Sequence, residues 1–209
     1  MKPYHKIKTV FKRDPSTNFK TLLTGEYALP EFEYLENNTW IFTEKVDGTN
    51  IRVITHPNGG VEVRGKTDRA QIPAKLLDRL YQLFSPGDKL AEQFPDGACL
   101  YGEGYGAKIQ KGGGNYSPTQ EFVLFDIRVG DWWLERSNVE EVAKALNIDI
   151  VPIISVGTLT DMVSIVKGGY ASFWGNFEAE GIVARPKVEL FNRNNKRIIT
   201  KLKCKDFKQ

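Results

Sequence analysis

The stretch that decides the fold is WIFTEKVDGTNIRVITHPNGGVEVRG, which occupies residues 40–65. Residues 40–44 and 51–55 are rich in aromatic and β-branched side chains, which favour extended strands. The alternating segment 61–64 follows Asn58-Gly59, a dipeptide that strongly favours a tight hairpin turn. The stretch therefore predicts three short strands, and the last two of them are expected to pair antiparallel.

Strands dominate the remainder of the chain, with helices inserted between them. Leucines spaced along one face predict a helix over 74–84, a capping-box pattern at 137–140 predicts one to about Leu146, and a shorter helix is expected after Asp161. Further strands are predicted at 99–103, 121–129, 179–185 and 197–204, with a mobile glycine-rich loop at 111–118. The pattern lacks the regular strand–helix alternation of Rossmann and TIM-barrel folds, and it predicts an α+β fold with mainly antiparallel sheets.

Composition bounds the class of protein. The 209 residues suit one domain, and 41% hydrophobic residues are enough for a packed core. The balance of 29 basic and 26 acidic residues excludes a polycation but permits a local phosphate-binding face. The chain shows neither an apolar run long enough to span a membrane nor an N-terminal secretory signal. Cys99 and Cys204 lack CxxC spacing, which argues against a disulfide framework or zinc site and favours a reduced, cytoplasmic protein.

The polar segment between the first two predicted strands is the first candidate for chemistry. Strand alternation is expected to send Lys45 and Asp47 to the same face, and Gly48 allows a tight turn. An amine, a carboxylate and the amide of Asn50 would then converge. An ordinary exposed turn is the alternative interpretation of this segment alone.

Further polar clusters stand at the ends of other predicted strands, in a fixed order. They are Arg64-Gly65-Lys66, Tyr101-Gly102-Glu103, Phe125-Asp126, residues 180–185 and Lys201-Leu202-Lys203.

With these clusters in place, the sequence resembles the covalent nucleotidyltransferases, which include ATP-dependent RNA and DNA ligases and capping enzymes. Residues 45–48 match motif I of that superfamily, 101–103 motif III, 125–126 motif IIIa, 180–183 motif IV and 201–203 motif V. The resemblance runs from about Trp40 to Phe207 and is closest to the phage nick-sealing and RNA-editing ligases. It implies a nucleotidyltransferase, ATP-grasp-like fold with the nucleotide in a cleft between sheets.

The resemblance also implies a reaction. Lys45 is expected to attack the α-phosphorus of ATP and to become a lysyl-adenylate with release of pyrophosphate. Lys201, Lys203 and Mg²⁺ or Mn²⁺ are expected to stabilise the charge on the phosphates. AMP would then pass to a 5′-phosphate, and a 3′-hydroxyl would displace it to seal the strand. The expected partner is therefore nucleic acid with these two ends, with RNA favoured.

Other residues take the roles that the resemblance gives them. Phe125 is expected to stack on adenine and Glu103 to bind the ribose hydroxyls. Arg64 is expected to bind a phosphate, Arg185 to contact phosphate or nucleic acid, and Glu180 to hold the metal. A core position for Phe125, and a solvated basic tail for the two late lysines, are the alternatives.

Four more residues are placed in the same pocket by the resemblance. Asp47 and Asn50 belong to the nucleotide-binding set, and Asp126 is a second candidate metal ligand. Glu44 is expected at the adenine edge, unless it merely faces solvent.

Three functions remain open on the sequence. The favoured one is an ATP-dependent RNA ligase, formed by a single adenylyltransferase domain over 1–209 without a separate C-terminal domain and acting as a monomer. A minimal DNA ligase or a capping-type nucleotidyltransferase is the second. An inactive nucleic-acid-binding module is the third.

Overall fold

The structure is a computed structural model that describes residues 2–85 and 87–208. The chain divides into two compact units. The first comprises Asp47–Val151 together with the N-terminal residues up to His5. The second comprises Lys6–Val46 and the chain from Pro152 onwards. The prediction that the whole chain is a single catalytic domain stays a prediction.

The described residues form thirteen strands, six α-helices and two short 3-10 turns. The strands are β1 (Lys8–Thr9), β2 (Phe11–Arg13), β3 (Leu22–Tyr27), β4 (Trp40–Glu44), β5 (Thr49–Thr55), β6 (Val61–Gly65), β7 (Ala98–Gly106), β8 (Gln120–Val129), β9 (Trp132–Trp133), β10 (Asp149–Ile150), β11 (Ile153–Gly157), β12 (Gly181–Pro186) and β13 (Thr200–Lys203). The helices are α1 (Pro30–Tyr34), α2 (Ala74–Phe84), α3 (Asp88–Gln93), α4 (Gly113–Tyr116), α5 (Arg136–Leu146) and α6 (Leu159–Gly168), and the 3-10 turns are Pro15–Thr17 and Cys204–Phe207.

The first unit is built on a six-stranded sheet in the order β10-β8-β7-β5-β6, with β9 paired to β8. Its neighbours are antiparallel except for β10, which runs parallel to β8. Helices α2 and α5 cover one face, where Leu76 and Leu80 join Val139 and Ala143 in a core with the strand residues. Burial of this apolar face holds the unit together, and the other sheet face carries polar side chains together with a smaller buried cluster of Ile54, Cys99 and Tyr101.

The second unit is built on a five-stranded sheet in the order β1-β13-β12-β4-β11. Strand β1 is parallel to β13, and the other pairs are antiparallel. Trp40 and Phe42 point to the same side as Ile182 and Leu202, and this side packs against α6 through residues such as Met162. A separate hairpin pairs β2 with β3.

The predicted α+β class with mainly antiparallel sheets is confirmed. The β5–β6 hairpin and the helix over 74–84 are also confirmed, with α2 at the expected bounds.

Three local predictions were wrong. Helix α5 begins at Arg136 and its N-cap, Glu135, makes no side-chain capping bond, so Ser137 lies inside the helix. The next helix begins earlier than predicted, because the capping box is formed by Thr158 and Asp161. The glycine-rich segment contains α4, whose Tyr116 is buried and ends the helix.

None of the helices in the described ranges combines the length and the apolar composition that crossing a bilayer requires.

Candidate active site

Glu180 brings two of the predicted lysines together in the second unit. Its Oε2 lies 2.6 Å from Nζ of Lys45, and its Oε1 lies 2.6 Å from Nζ of Lys203. The three side chains are largely buried, with 20%, 11% and 23% of the side-chain surface of Lys45, Glu180 and Lys203 exposed. Charge-assisted hydrogen bonds at this length hold both ammonium groups against one carboxylate.

Strand pairing explains why these residues meet. The backbone N–H of Lys45, one residue past β4, donates to the carbonyl of Gly181 at 2.8 Å. Gly181 is also the register partner of Lys203 at the end of β13. The ends of β4 and β13 therefore flank the start of β12, directly after Glu180.

The sheet of the second unit separates an apolar face from a cationic one. Successive side chains of a strand point to opposite faces, and the residues between the core positions of β12 and β13 are Val183, Arg185, Lys201 and Lys203. Arg185 is 6% exposed. Lys201 lies on the same face as Lys203, as the sequence predicted, and the face carries three predicted phosphate-binding cations.

A buried carboxylate supports the backbone of Lys203. Oδ2 of Asp206 accepts a hydrogen bond from the Lys203 N–H at 3.3 Å, and its Oδ1 accepts one from NH2 of Arg13 at 2.8 Å. The side chain of Asp206 is only 4% exposed. Arg13 comes from β2, and the sequence contained no signal for it because its partner lies far along the chain.

Glu44 is buried and does not face solvent, so the alternative interpretation of an exposed strand residue is wrong. It lies four residues after Trp40 in β4, on the same face of the sheet, and is 1% exposed. Its two oxygens accept from Oγ of Ser172 at 2.6 Å and from the N–H of Phe173 at 2.9 Å. Burial raises the pKa of this carboxyl, although both hydrogen bonds oppose the rise. Its contact with adenine stays a prediction.

The prediction that strand alternation places Lys45 and Asp47 on the same face was wrong. Strand β4 ends at Glu44 and β5 starts at Thr49, so Lys45 and Asp47 lie outside both strands. Asp47 belongs to the first unit. There its N–H donates to the hydroxyl of Tyr116 at 3.3 Å.

In the first unit, Gly48 packs directly against the segment of Glu103. A Cβ at Gly48 would lie 2.2 Å from the carbonyl oxygen of Gly104 and 2.8 Å from Cγ of Glu103, so a side chain does not fit. Asn50 is the register partner of Glu103 across β5 and β7. The structure therefore brings the predicted ribose-binding carboxylate beside Gly48 and Asn50.

Arg64 lies on the same sheet face as Asn50, because it is paired with Arg52 in register. Its exposed guanidinium contacts Glu62. Arg52 was missed by sequence reasoning. It is fully buried, donates from Nε to the Gly65 carbonyl at 2.9 Å and bridges to Asp68 at 2.7 Å. Its position two residues after Asn50 in an alternating strand was the signal that could have identified it.

Phe125 occupies a β-bulge. Asp126 pairs with Tyr101 and Leu124 pairs with Gly102, which leaves Phe125 as the extra residue of β8. A bulge redirects side chains locally and is frequent beside functional sites. The ring of Phe125 remains partly exposed and meets Tyr4 edge-on, with 5.1 Å between the centroids.

Asp126 is fully buried, and Tyr4 donates a hydrogen bond to its Oδ2 at 2.7 Å. Tyr4 was not identified from the sequence, since it stands in an N-terminal segment without periodicity. No described residues form a group of three or more His, Cys, Asp or Glu side chains that could hold a metal ion. The assignments of Asp126 and Glu180 as metal ligands stay predictions.

Comparison with known families identifies the chain. The sequence model of the RNA ligase family matches residues 38–203, about four fifths of the sequence. The chain belongs to the RNA ligase family. The match includes every residue predicted above to act on nucleotide or phosphate, from Glu44 to Lys203.

Solved structures support the same fold for this RNA ligase family member. A substituted Naegleria gruberi RNA ligase with ATP and Mn superposes with a TM-score of 0.68 at 19% identity, over 99% of this chain and 64% of that one. A second substituted form with ATP and Mn gives 0.70 at 18%, over 97% and 56%. The same ligase with pyrophosphate gives 0.67 at 19%, over 97% and 57%.

The present chain thus spans between 56% and 64% of the length of these structural relatives. A search of curated protein sequences gives no match.

Proposed function

We propose that this chain is the adenylyl-transferring part of an ATP-dependent RNA ligase. The observation that supports this most directly is the Glu180 carboxylate, which holds Lys45 and Lys203 at 2.6 Å each. In an RNA ligase family member, a largely buried lysine beside further cations suits attack on a phosphate.

Lys45 is the proposed nucleophile. Attack requires the neutral amine, so Nζ gives up one proton to water and leaves its hydrogen bond with Glu180. A bond then forms between Nζ and the α-phosphorus of ATP, and the bond from that phosphorus to pyrophosphate breaks. Lys203, Lys201 and Arg185, on the cationic sheet face, are the groups proposed to stabilise the leaving phosphates.

The proposed nucleoside contacts come from the first unit. Glu103 would accept from the ribose hydroxyls, and Asn50 beside it would orient the sugar. Phe125 would stack on adenine, and its place at a bulge supports this because the ring is not part of the main core of that unit. Arg64 would bind phosphate after exchanging its contact with Glu62.

A divalent cation is part of the proposal, since the Naegleria relatives were solved with ATP and Mn. Both oxygens of Glu180 are engaged by lysines, so the described residues fit a cation held mainly by nucleotide phosphates and water. Glu180 would supply one oxygen once Lys45 has left it, and Asp126 is the other candidate ligand. When bound, the cation neutralises developing phosphate charge.

The later steps follow from the same chemistry. AMP would pass from Lys45 to the 5′-phosphate of RNA, and a 3′-hydroxyl would displace AMP to form a phosphodiester. We propose a monomer located in the cytoplasm, a location that suits the buried free thiols of Cys99 and Cys204. Size-exclusion chromatography with light scattering and cell fractionation test these two points.

Labelling with α-labelled nucleotide tests the proposed first step. The protein is incubated with ATP, GTP or NAD in parallel, with Mg²⁺ or Mn²⁺, and is then denatured before analysis. We expect covalent label from ATP only, and none in Lys45→Ala. Label from GTP would indicate a capping-type enzyme. No label from any of the three nucleotides would indicate an inactive module. Sealing of nicked RNA against nicked DNA then separates the two ligase classes.

A further inference from the structure

The connection between β12 and β13 is a cationic hairpin that the proposed nucleotide site does not use. We define the basic hairpin as residues 187–197. It carries Lys187, Arg193, Lys196 and Arg197 against a single acid, Glu189. The first three side chains are exposed and form no ion pair among the residues that the structure describes.

The one acid of the basic hairpin is neutralised internally. Arg197 donates from Nε and NH2 to the two oxygens of Glu189, at 2.6 and 2.8 Å, and its side chain is 2% exposed. This two-point contact closes the base of the hairpin. The surface that remains is therefore positive, with Phe191 45% exposed beside the cations.

The tip of the basic hairpin is ordered by its own hydrogen bonds. Oδ1 of Asn192 accepts from the N–H groups of Asn194 and Lys196, at 3.0 Å each. The Asn192 N–H donates to the Lys196 carbonyl at 2.9 Å. A turn held in this way presents Arg193 and Lys196 outward at a small entropic cost of ordering on binding.

We propose that the basic hairpin binds the phosphate backbone of the RNA substrate. Exposed arginine and lysine side chains without acidic partners complement a polyanion, and an exposed aromatic ring next to them can cover a sugar or base. This inference rests on the proposed function for the identity of the nucleic acid.

The position of the basic hairpin predicts where on the RNA it binds. Strand β12 leads from Glu180 to the hairpin, and its six residues span roughly 20 Å. The hairpin is therefore about one strand length from the carboxylate that holds Lys45. It would contact phosphates several nucleotides from the reacting ends, not the ends themselves.

The test replaces Lys187, Arg193 and Lys196 by glutamine together. The matched control replaces three exposed lysines on helices of the first unit, Lys75, Lys89 and Lys144, in the same way. Binding to nicked duplex RNA is measured by fluorescence anisotropy without ATP over a range of salt concentrations, and self-adenylylation is measured separately.

We expect the hairpin variant to bind about 10-fold more weakly at low salt, and its log–log salt slope to fall by about 2 to 3. Adenylylation should equal that of wild type, and the control should bind as wild type does. Duplexes with either arm cut back to a few base pairs are compared in turn. One of the two truncations should abolish the difference between variant and wild type.

An unchanged affinity and salt slope in the hairpin variant would overturn the inference. It would also be overturned if the variant lost the same affinity, relative to wild type, on the long duplex and on both shortened duplexes. The single variant Arg193→Gln, at the tip, should lower the salt slope by about 1. It replaces the triple variant in the test if the triple variant does not fold. Failure of the proposed function has a different signature, because wild type would then bind RNA but take no label from ATP.

Discussion

At the level of single residues, the carboxylate of Glu180 is in an uncommon position, because it receives two lysine ammonium groups at 2.6 Å. Each lysine comes from a different strand end, where the backbone alone does not fix the position of Nζ on so long a side chain. The shared carboxylate therefore sets the distance between the proposed nucleophile and a phosphate-binding cation. Loss of the Glu180 charge should therefore affect adenylylation more than loss of an ion pair at the surface does.

Glu180→Gln tests this residue. The amide keeps the shape of the side chain but cannot hold two cations, so we expect adenylylation of Lys45 to slow by about 100-fold, the scale of a misplaced reactive group. Glu178→Gln is the matched control, since Glu178 contacts Lys208 at the surface. Single-turnover labelling measures both. Equal rates for the Glu180 variant and wild type would contradict the role.

Glu44 should make stability depend on pH. Because burial raises its pKa, the folded protein holds this proton at pH values where the unfolded chain has lost it. Stability should therefore fall as the pH rises from about 4.5 through the raised pKa. This pH-dependent loss is absent in Glu44→Gln. The free energy of unfolding of the variant, measured in urea, should therefore increase relative to that of wild type as the pH rises from acidic to neutral. Parallel stability curves would exclude this source of pH dependence.

At the level of elements, close packing of loops against strands decides which side chains are possible. Gly48 lies against β7 so tightly that any Cβ would overlap the Gly104 carbonyl. A backbone atom cannot rotate away as a side chain can. The glycine of the first motif is therefore required by the neighbouring strand as well as by its own turn.

Gly48→Ala should destabilise the protein by about 1–3 kcal/mol, because β7 must shift to admit the methyl group. Chemical denaturation measures the loss. Gly114→Ala is the control, since a Cβ there meets open space within α4, and it should be neutral or slightly stabilising. If the two variants were equally stable, the close approach of Gly48 to β7 would be wrong.

The contact of Arg13 with Asp206 ties the β2–β3 hairpin to the backbone of Lys203. Arg13→Met should leave that backbone less fixed and slow adenylylation by about 10-fold, with a smaller loss in Arg13→Lys, which keeps the charge. Lys12→Met is the control, because Lys12 and Glu26 form an exposed pair. A rate unaffected by Arg13→Met, measured on folded protein, would show that Lys203 is positioned without it.

At the level of the whole molecule, the residues predicted to bind nucleotide are distributed over two units, each with its own core. The strands around Lys45, Glu103 and Glu180 were predictable, because local alternation and turn dipeptides report strand pairing. The family resemblance assigned both Lys45 and Glu180 to the nucleotide site, but their ion pair was not predicted, since 135 residues separate the two.

The supporting residues could not be predicted in the same way. Tyr4 reaches Asp126 across 122 positions and Arg13 reaches Asp206 across 193. Such contacts depend on tertiary packing, which leaves no periodic trace in a single sequence. The bulge at Phe125 could not be predicted either, because one inserted residue changes which face the following side chains point to without changing the composition of the strand.

The matched family region, 38–203, contains every residue proposed to act on ATP. The chain should therefore adenylylate itself without any added protein. Mass spectrometry of the protein after incubation with ATP and Mg²⁺ tests this most directly, with the modified peptide sequenced. We expect one added AMP on Lys45 and none in Lys45→Arg. Unmodified wild-type protein, or AMP on another lysine with Lys45→Arg modified equally, would contradict it.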